Sequence, residues 1–275
     1  MQSEEQFYSI KSSSFIDIRL TVNAAVAAIL AISLGWSPFS HAEGWEFKLA
    51  PLFLWGISLD ADATIGTDTV PIDLSFKDDV LENMDAVFTF HFEAQNDDIV
   101  FFAEYQYSSL DPSISIGPVD ADVEFKNTAA ELGVGWEFIQ GESLDWQMLL
   151  GLRYLEQEVD VDGSLNLPPP PAGPGPIPVG IDGGDDWYHP FFGLRGNYRF
   201  ASRWSLIGRG DYGYSDSDNR LLNLSAIVDY RFRGWGSAFF GWRYQYVDYD
   251  GGSGLDRYAF DGTQQGPLLG LAIHW

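Results

Sequence analysis

The sequence predicts an all-β chain that closes into a transmembrane, antiparallel, up-and-down β-barrel of about ten strands, eight or twelve being the even-numbered alternatives. Three observations predict it. Thr263–Trp275 alternates apolar Leu269, Leu271, Ile273 and Trp275 with Gly270, Ala272 and His274, and it ends on an aromatic. Nine further segments show the same period of two, which belongs to strands with one greasy face. The connections between them alternate in length, short turns against long polar loops.

Each strand can be read in order. Trp45, Phe47, Leu49, Phe53, Trp55 and Ile57 define one apolar face of the first, and Phe88, Phe90 and Phe92 the second. Ile99, Phe101, Ala103, Tyr105 and Tyr107 define the third; Ala130, Leu132, Val134, Trp136 and Phe138 the fourth. Leu144, Trp146, Met148, Leu150, Leu152 and Tyr154 follow, then Tyr188, Phe192, Leu194, Tyr198 and Phe200. Trp204, Leu206, Tyr212 and Tyr214 mark the seventh, thinned by Gly208 and Gly210. Leu222, Leu224, Ala226, Val228, Tyr230 and Phe232 mark the eighth, and Ala238, Phe240, Trp242, Tyr244 and Tyr246 the ninth. The terminal strand makes the number even, and Leu269, Leu271, Ile273 and Trp275 are its expected assembly signal.

Short turns are expected at Gln95–Asp98, Gln140–Ser143, Ala201–Arg203 and Arg233–Gly234, and long external loops at 60–84, 108–120, 161–185 and 250–262. Val70–Phe76 alternates too, but a spanning strand there would break parity, so it is expected as an external hairpin arm before a helical turn over Asp78–Met84. The tryptophans gather toward the short turns and the tyrosines toward the long loops, as in two interfacial aromatic belts.

Composition agrees with an exported envelope protein. The 275 residues include 29 Gly and no Cys, and 40 acidic against 15 basic residues give a net charge of −25. Such acidity excludes nucleic acid as a partner. Thr21–Trp36 is apolar and leads to Ser40-His41-Ala42, so residues 1–42 are expected to be an export signal cleaved near Ala42, leaving 43–275 as the barrel. Met1–Leu20 is long and carries Glu4, Glu5 and Asp17, which points to a start further downstream.

The segments APLFLWGISLDADATIG, VPIDLSFKDDVLENMD, GLRGNYRF, RWSLIGRGDYGY, GWRYQYVDYDGG and QQGPLLGLAIHW resemble those of proteobacterial outer-membrane β-barrel proteins. The resemblance implies an outer-membrane location and no common reaction. The expected partners are outer-membrane lipids and lipopolysaccharide, with the barrel assembly machinery and periplasmic chaperones, and the expected state is a monomer. Pro168–Pro178 does not match that pattern.

The opposite strand faces carry the charges. Glu93, Glu104 and Glu131 lie on earlier strands, and Arg153, Arg195, Arg209, Asp211, Asp229 and Arg243 on later ones. In a closed barrel these walls face each other, so carboxylates and guanidiniums are expected to pair across the lumen. The expected function is a structural barrel or small passive pore with acidic surface loops, with no catalytic residues, metal or cofactor. The alternatives are an outer-membrane enzyme (an omptin-like protease or a lipid A-modifying hydrolase) and a loop-based adhesin. His91 with Glu93, and Asp185 and Asp186 near His189, resemble the histidine and acidic groups of the omptins. Asp248–Asp256 could present oxygens to calcium but lacks the full calcium-loop spacing.

Overall fold

In the computed structural model the described residues are 44–77, 84–110, 113–116, 119–165 and 177–275. The expected export signal lies outside them. Among the described residues thirteen strands run in chain order: β1 (Trp45–Trp55), β2 (Ser58–Ile65), β3 (Asp68–Leu74), β4 (Met84–Asn96), β5 (Ile99–Leu110), β6 (Ser113–Ile116) and β7 (Val119–Gln140). β8 (Leu144–Leu165), β9 (Ile177–Ala201), β10 (Trp204–Asp216), β11 (Asn219–Arg233), β12 (Gly236–Gly251) and β13 (Tyr258–His274) complete the set. Ten of them form a closed antiparallel ring in the order β1-β4-β5-β7-β8-β9-β10-β11-β12-β13, with β13 returning to β1. Closure pairs every wall strand on both sides, which a lipid environment demands of backbone polar groups.

The faces follow the period of two. Leu132, Leu150, Phe240 and Leu271 point outward and are 65%, 56%, 59% and 61% exposed, values that only a lipid surrounding makes favourable for residues of this size. Charged and polar side chains point inward. The two ends differ in their aromatics: Trp136, Trp146, Trp204 and Trp275 are exposed near the short turns, and Tyr188, Tyr212 and Tyr214 toward the other end. At the turn end Asp97 takes a left-handed backbone (φ 48°), a conformation that aspartate tolerates in a tight hairpin turn. Closure there is made by Phe47 and Trp275, whose backbones exchange hydrogen bonds of 2.8 and 3.1 Å while their rings stack at 5.5 Å. Leu269, Leu271 and Ile273 lie on the outer face of the same closing strand.

The first strand departs from its expected face. Trp45, Phe47 and Leu49 share the outer side, but the register shifts between Leu49 and Leu52. Phe53 and Trp55 are therefore buried inside, and Leu54 faces out. The shift falls at Pro51, which has no N–H for the ladder and is tolerated in a strand at such a bulge.

The expected long loops are largely strand. β7, β8 and β9 are 22, 22 and 25 residues long, whereas about 9–11 suffice to cross a bilayer. They therefore continue past the tyrosine level as a hairpin sheet, and in the last loop only Gly252–Arg257 lies between strands. Of the expected arm Val70–Phe76, the part up to Leu74 belongs to the hairpin β2–β3, which turns at Gly66, and Phe76 lies beyond the strand. Of the helical turn expected over Asp78–Met84, residues 78–83 lie outside the described residues and Met84 opens β4.

That hairpin seals the barrel's hairpin end. β2 extends the wall along β13, while β3 pairs with β2 alone among the described residues. Leu74 and Phe76 pack on the inward-facing Leu110, Phe125 and Val159. Leu59, Ala61 and Ala63 join Leu155, Trp187, Leu221, Val247, Tyr249, Tyr258 and Phe260 in a buried apolar cluster. Trp187 and Tyr249 stack within it at 4.1 Å.

Because β2–β3 curls inward, β1 meets β4 only over Trp45–Ala50. Beyond that, Thr89 substitutes for the ladder: its hydroxyl accepts from the Phe53 N–H (2.9 Å) and donates to the Phe53 carbonyl. Thr89→Val should leave both groups unpaired and cost about 1–3 kcal/mol, with Thr89→Ser close to wild type; urea unfolding from bilayers measures both. On the outer face, Leu150→Arg should cost about 2–4 kcal/mol in the same assay, whereas Ser225→Glu, inside and in register with Arg209 and Arg243, should be mild. Equal penalties would show that the assigned faces are wrong.

Candidate functional site

The inward side chains at mid-barrel fall into rows set by strand register. One row runs His91, Glu104, Glu131, Arg153, His189 across β4, β5, β7, β8 and β9. A second runs Phe102, Gly133, Gly151, Phe191 over β5, β7, β8 and β9. The two glycines leave room that the phenylalanine rings occupy: a Cβ on Gly133 would sit 2.3 Å from Phe102, and one on Gly151 2.5 Å from Phe191. Arginine side chains lie over those rings, Arg153 4.9 Å from the Phe191 centroid and Arg209 5.3 Å from that of Phe102. Such cation–π contacts stabilise a guanidinium that has left water.

A third row, Arg195, Arg209, Ser225, Arg243, places three cations on the later strands. Left to themselves they would repel, so each reaches the acidic wall. Arg195 Nη1 donates to Glu93 Oε1 at 2.6 Å, and Arg243 Nη1 to Glu104 Oε1 at 2.6 Å. Arg209 pairs with Glu131 Oε1 and with Asp211 Oδ2, both at 2.7 Å. Arg153 binds Glu131 and, at 2.9 Å, Asp211 Oδ1. Glu131, Arg153, Asp211 and Arg209 form the tightest part, with Arg153 2% exposed. Neutral side chains extend it: Gln147 accepts from Arg195 at 2.7 Å, and Asn223 accepts from Arg243 at 3.0 Å while donating to Asp211 at 2.7 Å.

Glu93, Glu104, Glu131, Arg153, Arg195, Arg209, Asp211 and Arg243 are thus brought into one connected network. Asp229 is not part of it. It lies nearer the turn end, where it accepts from Ser237 Oγ at 2.8 Å, and His274 Nε2 stands 2.9 Å from the same hydroxyl. Arg231 sits 2.9 Å from His274 Nδ1 and can only donate, so Nδ1 accepts and Nε2 carries the proton. The chain therefore runs Arg231 to His274 to Ser237 to Asp229. The histidine donates to the serine instead of taking its proton, which is the reverse of what nucleophile activation requires.

The other histidine–carboxylate groupings are also separated. His189 is fully buried in the wall beside Arg153, and Asp186 is on the opposite face of β9. Asp185 lies four residues from His189, about 13 Å along a strand, and accepts from the Tyr249 hydroxyl at 2.6 Å. Near the end of β12, Asp248 and Asp250 are bonded to Arg220 and Arg257. The Arg257 guanidinium holds the Asp250 carboxyl below the ordinary carboxylate range. Among the described residues no three metal-ligating side chains converge.

No family model and no curated protein matches this chain. Solved structures do. The outer-membrane protease OmpT from Escherichia coli superposes with a TM-score of 0.58 at 10% identity, over 86% of this chain and 98% of that one. The attachment invasion locus protein Ail of Yersinia pestis gives 0.33 at 10% identity, over 85% and 99% of the two chains. The toluene transporter TodX of Pseudomonas putida gives 0.33 at 10% identity, over 88% and 90%. At such identity the OmpT likeness concerns the fold: this chain has the fold of an outer-membrane β-barrel.

The network also fixes what its loss should do. Arg209→Ala leaves Glu131 and Asp211 each short of one cation in a nearly dry interior and should cost about 3–5 kcal/mol in bilayer unfolding. A double-mutant cycle with Glu131→Gln should show strong coupling; additive effects would dissolve the network.

Proposed function

We propose that this protein is an integral outer-membrane barrel of structural type, closed to ions at rest, without catalytic activity, that presents the β7–β8–β9 hairpin sheet and the β2–β3 hairpin at the cell surface. The observation that carries this reading is the wall-to-wall arginine–carboxylate network at mid-barrel, where opposed strands are tied across the lumen by Arg195–Glu93 and Arg243–Glu104. A second closure supports it, the apolar cluster under β2–β3. The outer-membrane location is supported by the barrel fold, the outward apolar band and the two aromatic belts. In that setting the short turns face the periplasm and the long hairpins the exterior. Lipid and lipopolysaccharide would contact the outer face, with assembly machinery and chaperones acting before insertion.

A ten-stranded ring lies between the filled interiors of eight-stranded barrels and the water-filled ones of sixteen, so its side chains decide whether it conducts. Here long side chains of opposite sign meet. In planar bilayers at mildly acidic pH the refolded protein should show near-zero conductance. Arg209→Ala and Glu104→Ala should each raise it by removing a crossing tie. Large wild-type conductance, unchanged in both variants, would favour a passive pore instead.

A further inference from the structure

We propose that the proton on His91 is a latch on the lumen: with the imidazole doubly protonated the barrel is closed, and loss of that proton opens a cation-conducting path along the β4–β5 wall. This rests on the closed-lumen reading above.

His91 bridges two carboxylates on adjoining strands. Its Nδ1 lies 3.0 Å from Glu104 Oε2 and its Nε2 2.8 Å from Glu93 Oε1. Ionised carboxylates only accept, so both ring nitrogens must donate, and the imidazole that satisfies both is the cation. The same two carboxylates carry the crossing ties, Glu93 to Arg195 on β9 and Glu104 to Arg243 on β12. One proton therefore holds the acidic ends of both ties in place.

The surrounding charges leave His91 as the group that can switch. Lys48 on β1 is in register with Glu93, and Glu131 on β7 with Glu104. Arg209 on β10 acts on Glu104, and His274 on β13 interacts with Glu93. Arginine and lysine ordinarily keep their charge far above neutral pH, and carboxylates keep theirs far below it. Histidine titrates between. His274 is already neutral by its bonding, accepting from Arg231 and donating to Ser237.

Position gives the switch its leverage. His91 is opposite Ala50, the last residue at which β1 and β4 share the ladder, and past it Thr89 is the tie between them. A neutral imidazole can donate to only one carboxylate and turns a lone pair toward the other. The released carboxylate swings from the shortest seam of the wall and lines the opening with negative charge, which selects cations.

The test records planar-bilayer currents of the refolded wild type, His91→Gln and His91→Lys from about pH 5 to about pH 10, a span bracketing the ordinary histidine range near 6.5. Imidazole nitrogen spectra of wild type in nanodiscs report the His91 proton directly. Wild type should be closed at the acid end and gain about ten- to a hundredfold in open fraction as His91 deprotonates, the effect of one lost hydrogen bond to a charged group. His91→Lys, a cation able to reach both carboxylates, should stay closed throughout, and His91→Gln should conduct at every pH. Near-zero wild-type current across a range in which His91 titrates, or a His91→Gln barrel as closed as wild type, would overturn the latch and leave the closed lumen standing. A His91 that holds one protonation state throughout overturns the latch as well. Large current at every pH would instead overturn the closed-lumen reading itself.

Discussion

A guanidinium confined in a narrow barrel must find a carboxylate, and here the arginines find them both on their own side of the ring and across it. Arg209 and Arg153 share Glu131 and Asp211, and Arg153 and Asp211 within that quartet are almost wholly enclosed. Removing a charge from water costs several kcal/mol, and the cost is offset only when geometry and further hydrogen bonds are good. Asn223 and the Phe102 and Phe191 faces supply part of that offset, while Arg153 Nη1 is left without a hydrogen-bond partner. Ring closure, which brings Glu131 on β7 within reach of Arg209 on β10, and the glycines that admit the rings both serve this neutralisation.

The wall is not equally strong around its circumference. β7 and β8 pair from Val119 to Gln140, and β8 and β9 from Leu144 to Leu165. β1 and β4 pair only from Trp45 to Ala50, because the bulge at Pro51 and the inward turn of β2–β3 carry the chain away from β4. A simple barrel with all strands of equal length would have no such weak line. In this one the lumen charges compensate: Glu93 and Glu104, flanking the short seam, are the two acids tied across to β9 and β12.

Much of this was legible from the residues. Alternation placed Glu104, Glu131, Arg195 and Arg243 on the inner face, since a strand's period leaves no freedom once one face is greasy. It misplaced Phe53 and Trp55, because a bulge changes face without changing composition, and Pro51 was the only local sign of it. It also assigned 108–120 and 161–185 to loops, since a strand that leaves the bilayer loses its apolar face and reads as polar chain. The Phe102 and Phe191 fillers went unseen because Gly133 and Gly151 become neighbours only across a ladder.

The sequence by itself determined the architecture and the sorting of charge: an even set of amphipathic strands, acids early, arginines late, and aromatic belts at two levels. These are local properties, fixed by the two-residue repeat and by the cost of exposing backbone or charge to lipid. The tertiary structure decided who meets whom. That Arg243 finds Glu104, 139 positions away, depends on register and closure summed around ten strands. That Asp229 instead joins Ser237 and His274 depends on its being two rungs nearer the turn end than Ser225 is, a displacement of two repeats that no composition records. Pairing across a lumen is a property of the closed ring, and only the ring brings those walls together.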